Sequence, residues 1–157
     1  MLFRSRRRNI ALETLHPLRG LPATFHSLQK GEPAESEFAD LRSRRWDGPA
    51  IVDHASDLQD FSDTAALVSN LDLVISVDTS IAHLAAAMGR PVWLLNQYSA
   101  CWRWLMNRVD SPWYPTLTQY RQPSPGDWHS VIASVTRDLA SFVKQQSHTR
   151  TPEANSS

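Results

Sequence analysis

At 157 residues the chain is one domain long and has enough length for a buried core. Sixteen basic side chains balance sixteen acidic ones, which excludes a general pull toward nucleic acid or anionic membrane, and the lone cysteine, Cys101, excludes an internal disulfide framework or a cysteine metal cluster. No apolar stretch approaches a membrane span and residues 1–20 lack a signal-peptide core, so a cytoplasmic protein is expected.

Residues 1–8 carry Arg4, Arg6, Arg7 and Arg8 and read as a solvated basic tail. Residues 9–18 have apolar positions at helical spacing followed by Pro17, which predicts a short helix ending near His16. Residues 22–28 predict a strand leading into Gln29-Lys30-Gly31. Polar residues directly after a parallel strand lie at the edge where open α/β sheets bind ligands, so Lys30 either meets a phosphate or is a solvated loop lysine. Residues 35–45 predict a surface helix with Phe38 and Leu41 inward, and 49–52 a short strand followed by Asp53, His54 and Ser56 at the same edge. Residues 62–70 predict a capped helix.

The stretch at 71–96, LDLVISVDTSIAHLAAAMGRPVWLLN, organises the rest. Its first seven residues form an apolar, β-branched run typical of a strand covered on both faces. The run stops at Asp78-Thr79-Ser80, all N-cap residue types, and a small-residue helical segment follows to Met88. Gly89 suits the position after a helix, and Pro91 opens a second apolar run. A helix that starts at the carboxyl end of a strand turns free N–H groups and its positive dipole end outward, an anion site to which Thr79 and Ser80 add hydroxyls. His83 lies one turn beyond Thr79 on the same face. It either reaches the same ligand or is a helix histidine with one satisfied nitrogen. Asp78 either caps the helix or accepts hydrogen bonds from a sugar hydroxyl.

Four of the six tryptophans fall between Trp93 and Trp113, which marks a region with a specific packing or binding task. The block Trp102-Arg103-Trp104 is followed by the rigid irregular segment Ser111-Pro112-Trp113-Tyr114-Pro115. Residues 116–122 predict the last strand and 127–143 an amphipathic helix, with a polar, disordered tail from 145. About five strands alternating with helices imply a Rossmann-like α/β fold, a parallel sheet covered by helices on both faces. Gly-x-Gly-x-x-Gly, Walker, zinc and nucleophile-elbow patterns are absent from the sequence, which disfavours a dinucleotide site, a P-loop or a metal.

Taken together, Ser27-Leu28-Gln29-Lys30-Gly31, the blocks at 60–67 and 71–83, Gly89-Arg90-Pro91-Val92-Trp93, Trp102-Arg103-Trp104 and Ser111-Pro112-Trp113-Tyr114-Pro115 resemble the carboxyl-terminal domain of heptosyltransferase-like glycosyltransferases. The resemblance is to the bacterial branch often fused to tetratricopeptide repeats. It implies the donor-binding half of a GT-B enzyme, with residues 9–144 as the nucleotide-sugar-binding domain between the tails 1–8 and 145–157. It also implies that Lys30, Asp78, Thr79, Ser80 and His83 contact the donor, and that Gln29, Trp102, Arg103 and Trp104 contact the sugar or pack between domains. No resident cofactor or metal is implied, the nucleoside diphosphate sugar being a substrate. Cys101 stands where relatives usually have an acid, and Asn96 where they usually have proline.

Relatives also begin this domain with an apolar strand that is central in the sheet order 3-2-1-4-5-6, whereas only Met1-Leu2-Phe3 precede Arg4 here. The strands near Ala23 and Leu73 are therefore expected to present unpaired inner edges. Because such enzymes take their acceptor site and general base from an amino-terminal domain, the chain reads as a truncated fragment, incomplete for hexosyl or heptosyl transfer alone, with no catalytic residue assigned. The alternative is a non-catalytic interaction module that keeps the fold and docks a partner through its Trp-rich surface.

Overall fold

The computed structural model describes residues 10–29, 31, 36, 39–40, 46–106 and 108–150. The predicted basic tail and most of the predicted 35–45 helix, Phe38 and Leu41 included, lie outside the described residues. The first short helix is a 3-10 helix, Leu12–Leu18, with Pro17 inside it, where the missing N–H matters less than in a long α-helix. Strands β1 (Phe25–Ser27) and β2 (Ile51–Asp53) follow. Helix α1 (Phe61–Ser69) opens on a reciprocal capping box between Asp60 and Asp63.

Strand β3 (Val74–Val77) feeds helix α2 (Ser80–Ala87), and β4 (Val92–Asn96) closes the central unit. Gly89 (φ 72°) ends α2. Its N–H bonds the Ala86 carbonyl and the Arg90 N–H bonds the Ala85 carbonyl, a Schellman pair that only a left-handed residue at Gly89 permits. The Arg90 guanidinium also donates to the Leu71 carbonyl. A second 3-10 helix, Trp102–Trp104, precedes β5 (Leu117–Arg121). Helix α3 runs over Trp128–Arg150, with the Asp127 carboxylate accepting from the Ser130 N–H at 3.0 Å at its start. The polar segment expected to be disordered from 145 is thus helical as far as Arg150. Residues 145–150 contain no Gly or Pro, and Ser147 and His148 each bond a carbonyl one turn back, those of Val143 and Lys144.

Among the described residues the paired strands run parallel, with one isolated antiparallel bridge between Asp110 and Thr118 of β5. Val74 faces Val92 and Val92 faces Leu117, giving the order β3-β4-β5, while β1 pairs β2 with Phe25 opposite Ile51. One face of the three-stranded sheet packs Val74, Val92, Leu94 and Leu117 against Val68 of α1, Ala82, Ala85 and Ala86 of α2, and Trp104. Alanines on α2 let its backbone approach the sheet closely. The other face packs Leu95, Ile75, Val77, Trp93 and Tyr120 against Ile132, Val135 and Leu139 of α3 and Leu18, with Phe25 of β1 in the same cluster. Burial and a hydrogen bond to Asp138 raise the Tyr120 phenol well above its ordinary 10.0.

This is the expected Rossmann-like α/β architecture, helices lying on both faces of parallel strands. Among the described residues β1 and β3 are not hydrogen-bonded to each other, and the strands fall into two sheets.

A buried polar network ties β4 and β5 to the Trp-rich loop. The Asn96 amide donates to Gln119 Oε1 at 2.7 Å, and Gln119 Nε2 donates to the carbonyls of Trp104 (3.0 Å) and Asp110 (2.6 Å). Asn96, which is 1% exposed, therefore supplies a donor that proline would lack.

Candidate functional site

The site grows from the carboxyl end of β3. The chain leaves Val77 through Asp78, and Thr79 rather than Asp78 takes the N-cap position of α2. The Thr79 hydroxyl makes no capping bond and lies 3.0 Å from the Ser76 hydroxyl instead. No acidic residue occupies the first turn of α2. The opening N–H groups of that turn thus receive no side-chain cap from Thr79, and the nearest carboxylate is that of Asp78, one residue before the cap. Ser80, exposed, starts the helix at this point.

The Asp78 carboxylate faces His83 Nε2 at 3.4 Å, and His83 Nδ1 lies 3.0 Å from the Tyr114 hydroxyl. A neutral ring protonated on Nε2 satisfies all three groups: it donates to the carboxylate and accepts from the phenol. The ring stacks on Trp104 (centroids 5.3 Å apart, planes 27° apart) and meets Tyr114 edge-on. Both histidine nitrogens are thus engaged within the protein, and His83 orients the Tyr114 segment against α2.

Above this histidine lies a cleft of about 400 Å³ lined by His83, Trp102, Arg103, Trp104, Trp113 and Tyr114, within the usual size range of small-molecule sites. Trp104 is fully buried as its floor, while Trp102 and Trp113 are 75% and 60% exposed. The Trp113 indole N–H donates to the Arg103 carbonyl at 3.0 Å. Leu105, directly after Trp104, sits at φ 52° and ψ 168°, a region that side chains other than glycine's avoid. It is held there by the Arg121 guanidinium, which donates to its carbonyl at 2.6 Å, and by its own N–H bond to Trp102.

Asp78 and His83 meet directly, Thr79 faces Ser76 and Ser80 is exposed at the helix start, while Trp102, Arg103 and Trp104 join His83 around one cleft. Gln29 is exposed at the end of β1, in the other sheet, where its N–H meets the Ser27 hydroxyl. Lys30 lies outside the described residues. The sequence presents Tyr114 and Trp113 only as part of a rigid segment. Their signal was present in the Ser-Pro-Trp-Tyr-Pro block, but pairing Tyr114 with His83, 31 residues away, requires the fold. A second cluster sits at the ends of β1 and β2. His26 Nδ1 lies 2.9 Å from His54 Nε2, and His54 Nδ1 lies 3.3 Å from Asp57. Among the described residues no group of three or more His, Cys, Asp or Glu side chains has metal-holding geometry.

Residues 56–110 match the family model of glycosyltransferase family 9 (heptosyltransferase). That segment contains α1, the whole β3-α2-β4 unit and Trp102-Arg103-Trp104, and so most of the site just described. The chain is also similar to Protein FlbA of Caulobacter vibrioides, with 31% identity over 123 residues, which is 76% of this chain and 20% of FlbA. The chain spans about one fifth of the length of that relative. No solved structure matches. Among the described residues no helix is long and apolar enough to cross a membrane.

Proposed function

We propose that this chain is the nucleotide-sugar donor-binding domain of a glycosyltransferase of the GT-B type. The observation that carries the reading is the start of α2, without a side-chain cap from Thr79, beside the Asp78–His83 pair inside a segment similar to family 9 glycosyltransferases, with Tyr114 just beyond that segment completing the chain. Departure of a nucleoside diphosphate builds negative charge on its leaving oxygen, and fixed N–H groups at a helix start stabilise that charge without reorganising. In this reading the diphosphate lies on the first turn of α2 with the Thr79 and Ser80 hydroxyls as further donors, and Lys30 is its basic neighbour. Asp78 accepts from a hydroxyl of the ligand while orienting His83. The acceptor site and the general base belong to a second domain, so transfer by this chain alone is not expected.

Titration calorimetry with UDP-, GDP- and ADP-sugars tests the reading. Binding of at least one, weakened roughly tenfold by His83→Ala through loss of the Asp78 and Tyr114 restraints, is the expected result. A folded protein that gives no heat with any of the three overturns it.

The exposed Trp102, Met106, Val109 and Trp113 favour a second reading, an interaction module that docks a partner through this apolar surface. That reading requires concentration-dependent sedimentation or a recovered partner in place of nucleotide affinity.

A further inference from the structure

We propose that Asp57, His54 and His26 form a pH-sensitive latch that fastens β1 to β2. The inference goes beyond the donor-binding reading and uses none of the residues around the aromatic cleft. His26 of β1 stands opposite Val52 of β2. Side chains alternate along a strand, so His26, Val52 and, two residues on, His54 share one face of the two-stranded sheet. Phe25, which joins the α3 cluster, lies on the other face.

The direction of each hydrogen bond follows from one end of the chain of groups. An ionised carboxylate only accepts, so His54 Nδ1, 3.3 Å from Asp57 Oδ2, carries a proton. In a neutral ring His54 Nε2 is then an acceptor, and His26 Nδ1, 2.9 Å away, is the donor. The ring planes are 20° apart and the centroids 5.2 Å apart, a separation that exceeds the N···N distance by the radii of both rings. Each nitrogen therefore points at the other edge to edge, the alignment an N–H···N bond prefers. His26 Nε2 keeps a lone pair.

This arrangement holds one additional proton and no more. The first enters at His26 Nε2 and leaves both bonds in place. The second has to enter at His54 Nε2, the atom that accepts from His26, so it breaks the bond and sets two cationic rings edge to edge between half-buried side chains. Among the described residues Asp57 is the charged group that meets either ring. Asp53 lies on the opposite face, where its carboxylate accepts from the Ala55 N–H. On the elements that share the cluster with Phe25, His16 and Arg19 are paired with Asp47, and Asp138 with Tyr120. The separated strands thus bind one proton more than the latched ones, so stability of the pair rises with pH and opening grows as pH falls, by up to about tenfold per pH unit. The window is that in which histidine changes charge, about pH 5 to 8.

The test is nitrogen NMR of the histidine rings together with amide exchange, both on the full chain. At about pH 8 both His26 and His54 are expected to carry their proton on Nδ1. Between about pH 8 and about pH 5, exchange protection of Phe25–Ser27 and Ile51–Asp53, corrected for the intrinsic rate, falls about tenfold relative to β4. The fall disappears in His26→Phe, which keeps a ring without nitrogens, and remains in His129→Gln, an exposed position on α3. Circular dichroism confirms that each variant is folded, and the ring tautomers are read on the unsubstituted chain. A proton on Nε2 of either ring at the upper pH, protection that does not change with pH, or a fall that survives in His26→Phe overturns the inference.

Discussion

The two parallel sheets of this molecule are built from similar strands and held in different ways. In the three-stranded sheet both faces are covered, and Val74, Val92, Leu94, Leu95 and Leu117 are all at most 4% exposed. Its strands carry residues buried enough to set their own register, and a polar network locks β4, β5 and the Trp-rich loop together. In β1 and β2 only Ser27 is buried, and Val52 is 42% exposed. That pair depends on Phe25, which reaches the α3 cluster, and on the His26–His54 contact across the strands. The candidate site stands wholly on the first kind of structure, where positions are fixed by packing, and this is what a cleft with preset walls requires.

The largest effect that separates the two regions is expected from Trp104→Ala. Removing a fully buried indole that carries His83 on one side and core aliphatics on the other should cost about 3–5 kcal/mol of global stability, read as a shift in denaturant midpoint. A loss of a few tenths would mean that the Trp loop is peripheral to the core.

A smaller and local effect is expected from His26→Ala. Loss of the 2.9 Å contact to His54 should weaken the β1–β2 pair by about 1 kcal/mol, a roughly fivefold faster amide exchange there with β4 unchanged. Equal acceleration in β4 would mean that both sheets open as one cooperative unit.

The smallest effect concerns pH. Bonds from the Ser130 amide and hydroxyl hold the Asp127 carboxyl below its ordinary 3.8. The unfolded chain therefore takes up this proton first. The contribution of the cap is whole at neutral pH and disappears as pH falls through 3.8 and then through the lower folded value. Asp127→Asn should flatten the acid limb of stability against pH, and an unchanged limb would assign acid sensitivity elsewhere. The Arg108–Asp110 pair lowers Asp110 in the same sense.

The central unit was legible in the sequence because its signals are local. An apolar run, cap residues, an alanine face and Gly89 at the end each act within a few positions. The capping residue shows the limit of that reading, since Asp78 and Thr79 are both good caps by type. Thr79 takes the cap position while the Asp78 carboxylate faces His83. What the sequence hid was relational. Nothing near Asn96 announces that its amide meets Gln119, nothing near His26 announces His54, and Tyr114 becomes part of the site only when β5 is laid beside β4. Residues 145–150 misled because their polarity resembles a tail while their intrinsic helix preference is sufficient to prolong α3.

The divided sheet has a practical consequence. In β3 the Val74 amide turns toward β4, where it bonds the Pro91 carbonyl, so by the alternation of a parallel ladder those of Ile75 and Val77 turn to the opposite side. Among the described residues no strand pairs on that side of β3, and such a row of donors and acceptors accepts an extended chain, including one from a neighbouring molecule. Aggregation that rises with concentration is the outcome expected of such an edge. An isotope-labelled sample would carry the same imprint as fast and slow amides alternating every second residue along one strand.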